Sequence, residues 1–250
     1  MYFNDVHILI YVAIAVLGFG IGKFVNWMNY RLLKEKKIFS REIFEKKNAD
    51  YKPNLILAII IAILYIVLLY KFGIGKTFLN NLQLIKYLVL TPMIISALII
   101  DYKEQIIPNR LNLTIFETGL VFLFAAGIFN VNIAINMFFG MLAGGGAFLL
   151  ITLIGGLIAG KEAMGFGDVK LMAGLGLYFG LANIVLITLV SFLLGAVISI
   201  ILLVTKVRKT SEYIPFGPFI VISCFVIMFV PFKTVLSLLV TIFSLGLMHI

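Results

Sequence analysis

Residues 171–205 run without a single charged side chain. A bilayer's hydrocarbon core takes about 20 residues of helix per crossing. The run is too long for one span, and a break near Asn183 would divide it into a short span and a second at about 184–205. The rest of the chain repeats the pattern. Of 250 residues, 62% are hydrophobic and 12% charged, against about 45–50% and about 25% in soluble domains. The expected fold class is therefore an all-α polytopic membrane protein with about eight transmembrane helices.

The other spans follow from the apolar runs. The first is expected at about 8–30, the next at 54–70, 84–100 (with Pro92 as a kink), 111–129 and 133–158, the last two joined by a tight turn at Asn130 and Asn132. The eighth falls at about 215–230. A final apolar segment, 234–249, reads either as a ninth crossing or as a helix along the boundary. The first run is preceded by no basic residues and followed by no small-residue cleavage site, so it reads as a retained anchor. It contains Gly18-x-x-x-Gly22, a small-residue face suited to close helix packing. Its second half turns polar at Lys23, Asn26, Asn29 and Arg31. That is either a helix end leaving the bilayer or a polar face that serves a site.

Net charge is +9, with eight of the 20 Lys and Arg in residues 31–53. In a soluble protein this would raise nucleic acid as a partner. Here it is the positive-inside signal of a membrane protein, and no base-reading motif accompanies it. The loop 31–53 is expected in the cytoplasm and the N-terminus outside. Alternation then places 101–110, 159–170 and 206–213 in the cytoplasm as well, and these loops carry most of the remaining basic residues. Three sequence regions follow: 1–30 as a first helix, 31–53 as a short basic loop, and 54–250 as the multi-helix body. The one cysteine, Cys224, and the two histidines at opposite ends offer no zinc site and no internal disulfide.

Of four aspartates, Asp101 and Asp168 stand at predicted helix boundaries on the same side of the membrane, separated by about one out-and-back hairpin. A charge there is costly and marks a candidate functional site. Two carboxyls brought within a few ångströms share a proton and titrate as a pair. One then takes a proton from water while its protonated partner hydrogen-bonds a substrate carbonyl. This is aspartyl protease chemistry, and it needs no metal and no cofactor. Gly165 and Gly167 flank Phe166 just before Asp168. Lacking a Cβ, they are expected to let the backbone turn sharply and a substrate strand come close. Gly140, Gly144, Gly174, Gly176 and Gly180 are expected to pack helices tightly around the site.

At these residues the chain resembles the type IV prepilin peptidases, the GxGD membrane aspartyl proteases. Met164-Gly165-Phe166-Gly167-Asp168-Val169-Lys170-Leu171, preceded by Lys161-Glu162-Ala163, is similar to their GxGD signature. Asp101 followed by Ile107-Pro108-Asn109 resembles their first aspartate motif. Gly22-Lys23-Phe24-Val25-Asn26, continuing to Tyr30-Arg31, resembles their N-terminal block, with Lys23 in place of the usual Ser. Ile214-Pro215-Phe216-Gly217-Pro218-Phe219 resembles their C-terminal segment.

The resemblance implies catalysis by Asp101 and Asp168, supported by Gly165, Phe166, Gly167, Lys170, Pro108 and Asn109. The protein substrates would be type IV prepilins or pseudopilins, cut at the cytoplasmic face of a prokaryotic cytoplasmic membrane. It also implies S-adenosylmethionine-dependent methylation of the new N-terminus in bifunctional members, with Gly22, Phe24, Asn26, Tyr30 and Arg31 as a substrate or methylation site. Glu162 and Glu104 are the candidates for meeting a basic leader, and each reads equally as a solvated loop residue. The chain departs from many members in lacking the two Cys-x-x-Cys pairs after the first span, so zinc is not expected. Two alternatives remain: a preflagellin-type GxGD protease, and a proton- or ion-coupled transporter using the same aspartates, which a broken segment at 171–205 would suit.

Overall fold

The computed structural model describes residues 2–3, 6–33, 54–160, 164–205 and 214–244. By packing, the chain forms two units, Met1–Ile100 and Asp101–Ile250.

In the first unit a two-residue antiparallel pair, β1 (Tyr2–Phe3) and β2 (Val6–His7), leads into helix α1 (Ile8–Leu33). Such a pair was not expected in an otherwise all-α chain. Helix α1 extends past the expected end at residue 30, so Arg31 belongs to the helix and is buried in it. The remainder of the basic loop, 34–53, lies outside the described residues. Helix α2 (Leu55–Phe72) begins where the Asn54 side chain accepts the Ile56 N–H at 3.0 Å, a standard N-cap. The buried positions of α1, Tyr11, Gly18, Gly22, Val25 and Asn29, form one stripe at helical spacing. Gly18 and Gly22 meet the backbone of Ala62 and Ala58 on α2 so closely that a Cβ on either would collide. The Gly-x-x-x-Gly face thus has its expected partner. The opposite faces expose Leu9, Val12 and Val16 on α1 and Ile56, Ile59 and Ile63 on α2, an arrangement that fits a lipid environment and not water.

Helix α3 (Phe78–Glu104) carries Pro92 in its interior. Proline has no N–H, so the carbonyl of Leu88 four residues earlier loses its helical donor. The buried Tyr65 hydroxyl on α2 donates to that carbonyl at 2.7 Å. The helix runs beyond the expected end at residue 100, and Asp101 sits in its last turn.

The second unit holds α4 (Asn109–Phe129), α5 (Val131–Ala159), α6 (Phe166–Val204), α7 (Gly217–Phe229) and α8 (Phe232–Phe243). Asn130 closes α4 through its backbone N–H to Ala126 and opens α5 by accepting the Asn132 N–H on its side chain. The tight turn lies where the asparagines placed it. Helices α5 and α6 touch backbone to backbone. A Cβ on Gly140 would lie 2.5 Å from the Gly176 carbonyl oxygen, and one on Gly144 would lie 2.5 Å from that of Met172.

Helix α6 does break, but at Gly180 and not near Asn183. Gly180 adopts φ 72°, ψ 176°, a region essentially restricted to glycine. Two asparagines take up backbone groups beside the break. Asn136 on α5 accepts the Leu181 N–H at 3.1 Å, and Asn183 donates to the Phe179 carbonyl at 3.0 Å. Asn183 serves the break and does not make it.

Helix α7 is placed by an aromatic cluster. Phe216 lies 5.0 Å from Phe192 and 5.9 Å from Phe148, ring centre to centre, distances at which aromatic pairs attract beyond simple burial. Helix α8 buries Val235 and Leu239 one turn apart and exposes Leu236 and Leu238. At 1.5 Å per residue its 12 residues reach about 18 Å, short of the roughly 30 Å core. Residues 245–249 of the expected last segment lie outside the described residues.

Six of these helices are long and apolar enough to cross a membrane: α1 to α6.

Candidate active site

Asp101 ends α3, and Asp168 stands in the first turn of α6. Both line one cleft of about 680 Å³ in the second unit, with Glu104, Gln105, Ile107, Asn109, Phe166 and Lys170 among its walls. The two carboxyls are near enough to act on each other electrostatically, and both side chains are buried, at 3% and 4% exposure. The structure brings Asp101 and Asp168 to the same cleft.

Their surroundings differ. Oδ2 of Asp101 accepts the backbone N–H of Gly217, the first residue of α7, at 2.9 Å. Oδ1 of Asp168 is buried and accepts no hydrogen bond from the described residues. An unpaired buried acceptor is costly and is suited to meeting a substrate or a water. The pair therefore offers one anchored carboxyl and one with an oxygen free for chemistry.

The two aspartate motifs interlock. Helix α3 ends at Glu104, and the next residue, Gln105, with a φ of 57°, turns the chain away. Pro108 then starts α4, where its carbonyl accepts the N–H groups of Leu111 and Asn112 and its own missing N–H costs nothing at a helix start. Ile107 packs against Gly167, where a Cβ would lie 3.3 Å from the Ile107 Cβ. The Nδ2 of Asn112 donates to the Gly167 carbonyl at 3.0 Å, and Lys170 Nζ donates to Asn109 Oδ1 at 2.8 Å. Together these contacts fix the turn that carries Asp168.

Gly167 thus packs closely against Ile107 and makes no sharp turn. Gly165 is the residue before α6, with φ −68° and ψ 138°, a conformation open to any residue. The expected sharp turn at these glycines is not what the backbone does. Phe166 is half exposed at the cleft. Glu104 lines the cleft, whereas Glu162 lies outside the described residues.

The remaining expected residues belong to the first unit. Gly22 is consumed by packing against Ala58. Phe24 is exposed, with its ring 5.7 Å from Trp27. Arg31 is buried, with its guanidinium 5.3 Å from the same indole, a cation–π distance. Asn26 and Tyr30 are half-buried on the same helix. Asn29, named only as part of a polar face, is buried. Its Oδ1 accepts the Ser96 hydroxyl, and its Nδ2 has no hydrogen-bond partner among the described residues.

Sequence reasoning gave no role to Gly217 or Asn112. Gly217 lay in a quoted Pro-Phe-Gly-Pro segment, and Asn112 follows Pro108-Asn109 by one helical turn.

A polytopic helical bundle with two buried aspartates in one cleft defines a membrane protein with a carboxyl-pair site. Residues 88–200 match the type IV leader peptidase family. The prepilin leader peptidase/N-methyltransferase of Xanthomonas campestris pv. campestris is 31% identical over 204 residues, 81% of this chain and 67% of that protein. The chain belongs to the type IV leader peptidase family. Proteins of the same name from Aeromonas hydrophila and Neisseria gonorrhoeae are 32% and 33% identical over 136 and 140 residues, 54% and 56% of this chain and 46% of each relative. The chain spans about half the length of most curated relatives it matches. No solved structure gives a significant match.

Proposed function

We propose that this chain is a membrane aspartyl endopeptidase that removes the short basic leader of type IV prepilins or pseudopilins. The observation that carries the reading is the burial of Asp101 and Asp168 in one cleft of a type IV leader peptidase family member. One carboxylate draws a proton from a water as it attacks the scissile carbonyl. The other, protonated, hydrogen-bonds that carbonyl and supports the developing oxyanion. The departing amine takes up a proton from the pair.

The reading includes a topology. Its eight spans are α1 to α5, the two arms of α6 on either side of Gly180, and α7, of which α7 and the arm before Gly180, at about 20 Å each, are shorter than the roughly 30 Å core. The N-terminus lies outside, loop 31–53 and the cleft face the cytoplasm, and 54–250 forms the peptidase body in the cytoplasmic membrane. The transporter alternative drew on the broken segment. The Leu181 N–H and the Phe179 carbonyl beside that break are met inside the protein by Asn136 and Asn183, which gives an ion site there no support.

N-methylation of the new N-terminus is the second activity in this reading, with S-adenosylmethionine as methyl donor. Asn29 Nδ2, buried with no hydrogen-bond partner among the described residues, is a donor that suits the carboxylate of that cofactor's amino-acid end.

Co-expression with a prepilin tests the peptidase, with leader removal followed by gel shift. Wild type should process the substrate, and Asp101→Asn and Asp168→Asn should not. Normal processing by either variant would overturn the dyad. The mass of the mature N-terminus reads methylation directly: an unmodified amine with the cofactor supplied removes the second activity.

A further inference from the structure

We propose that the apolar groove between α4 and α6 holds the residues that follow the cut in the substrate, the start of its apolar helix, while the leader lies in the acidic cleft. This rests on the peptidase reading and adds the direction in which the substrate lies. The groove, about 360 Å³, is walled by Asn109, Asn112, Leu113, Phe116, Lys170 and Ala173. It shares Asn109 and Lys170 with the cleft. The hydrogen bond between those two side chains is the sill from one to the other.

Polarity changes across that sill. On one side stand the carboxyls of Asp101, Asp168 and Glu104. On the other are the ring of Phe116 and the side chain of Leu113, 54% exposed with no described residue covering it. A prepilin makes the same step, from basic leader to apolar helix, at its cleavage point. Laid with its leader in the cleft and its apolar residues in the groove, it crosses the sill where the carboxyl pair stands. The opposite direction would set basic residues against Leu113 and Phe116 and apolar ones against three carboxyls, which desolvation disfavours.

Asn112 separates a peptide occupant from a lipid chain. It is 3% exposed, and its Nδ2 is committed to the Gly167 carbonyl. That bond fixes which end of the amide is which. The remaining atom, Oδ1, is buried and accepts no hydrogen bond from the described residues. An acyl chain has no donor to offer it. A peptide extended for cleavage has free backbone N–H groups on both sides of the cut, and one of them can meet it.

Photo-crosslinking in the full-length protein tests this. Benzoylphenylalanine is placed at position 113 or 116, with position 157 as the control, since Leu157 is 85% exposed on α5. Each preparation is incubated with prepilin in lipid vesicles and also assayed for cleavage. We expect adducts from 113 and 116, mapped by mass spectrometry to the first residues after the cut, and none from 157. Ala173→Trp, which fills the groove, should raise KM by about tenfold with kcat retained. Adducts to lipid alone, or to leader residues, in a preparation that cleaves would overturn the proposal. So would an unchanged KM in a folded Ala173→Trp. Failure of wild type to cleave removes the peptidase reading instead, and the adducts formed with the same prepilin still decide what the groove holds.

Discussion

The backbone N–H of Gly217 and Oδ2 of Asp101 form a buried 2.9 Å hydrogen bond between the first turn of α7 and the last turn of α3. Asp101 stands at the negative end of its own helix, an unfavourable place for a carboxylate. The positive end of α7 is brought to it and offsets that cost. The aromatic cluster of Phe148, Phe192 and Phe216 holds the start of α7 in place. Packing remote from the cleft thereby fixes one of its two carboxyls.

Gly217→Ala tests this link. A Cβ there would lie 2.5 Å from Asp101 Oδ2 and 3.2 Å from its Cβ, so the carboxyl must move. Misplacing a reacting group by about 1 Å costs on the order of 100-fold in rate. We expect leader removal to slow by about that factor, with only a modest fall in the thermal midpoint of detergent-solubilised protein as the Gly217–Asp101 bond is lost. Equal rates for Gly217→Ala and wild type would show that Asp101 does not depend on this contact.

Asn112→Ala removes the donor to the Gly167 carbonyl, one residue before Asp168. Losing this part-buried hydrogen bond costs about 0.5–1.5 kcal/mol, and the turn carrying Asp168 loses its tie to α4. Both the thermal midpoint and the processing rate should fall. Lys170→Met, at the exposed bond to Asn109, should cost less than about 1 kcal/mol of stability. Equal destabilisation by the two would show that burial does not rank them. The measurement is thermal inactivation in one detergent, with cleavage read in parallel.

What could be read from the sequence follows from what a residue type can announce. Two acids in a chain this apolar are conspicuous, and hairpin alternation put Asp101 and Asp168 at one depth. The glycines announced close helix contacts, and Gly140, Gly144 and Gly176 make them. The break in α6 was legible from length, but its position was not. Asparagine is a common turn residue and Asn183 drew the assignment, whereas it only takes up the Phe179 carbonyl beside the break. Gly217 and Asn112 gave no signal of their roles. Each bond pairs a backbone group with a side chain far away in sequence, and a backbone N–H or carbonyl carries no mark of residue type.

The α6 break yields its own test. Gly180→Ala places a side chain at φ 72° and against the Asn136 amide. Such a backbone conformation costs a non-glycine residue about 1–3 kcal/mol. Asn136→Leu removes the acceptor of the Leu181 N–H at an exposed bond, a loss of about 0.5–1.5 kcal/mol. Because Asn136 and Gly180 are in contact, the double variant should lose less than the sum of the two. Thermal inactivation midpoints of the four proteins provide the comparison, and strict additivity would show that the two residues do not act as one joint.

The carbonyl orphaned by Pro92 gives the sharpest stability experiment. Tyr65 is buried, and its hydroxyl donates to Leu88 O, the acceptor left without a helical donor. Tyr65→Phe removes only that hydroxyl, so the part-buried carbonyl loses this donor. The expected cost is about 1–3 kcal/mol. Pro92→Ala restores an N–H four residues after Leu88, and the helix can then bond that carbonyl itself. In the Pro92→Ala background, Tyr65→Phe should therefore cost less than in wild type. The difference is a coupling energy between a tyrosine on α2 and a proline on α3, measurable from the midpoints of the four-protein cycle. If Tyr65→Phe costs the same in both backgrounds, the hydroxyl is not compensating for the proline, and the bond between the two helices is incidental to the packing of Tyr65.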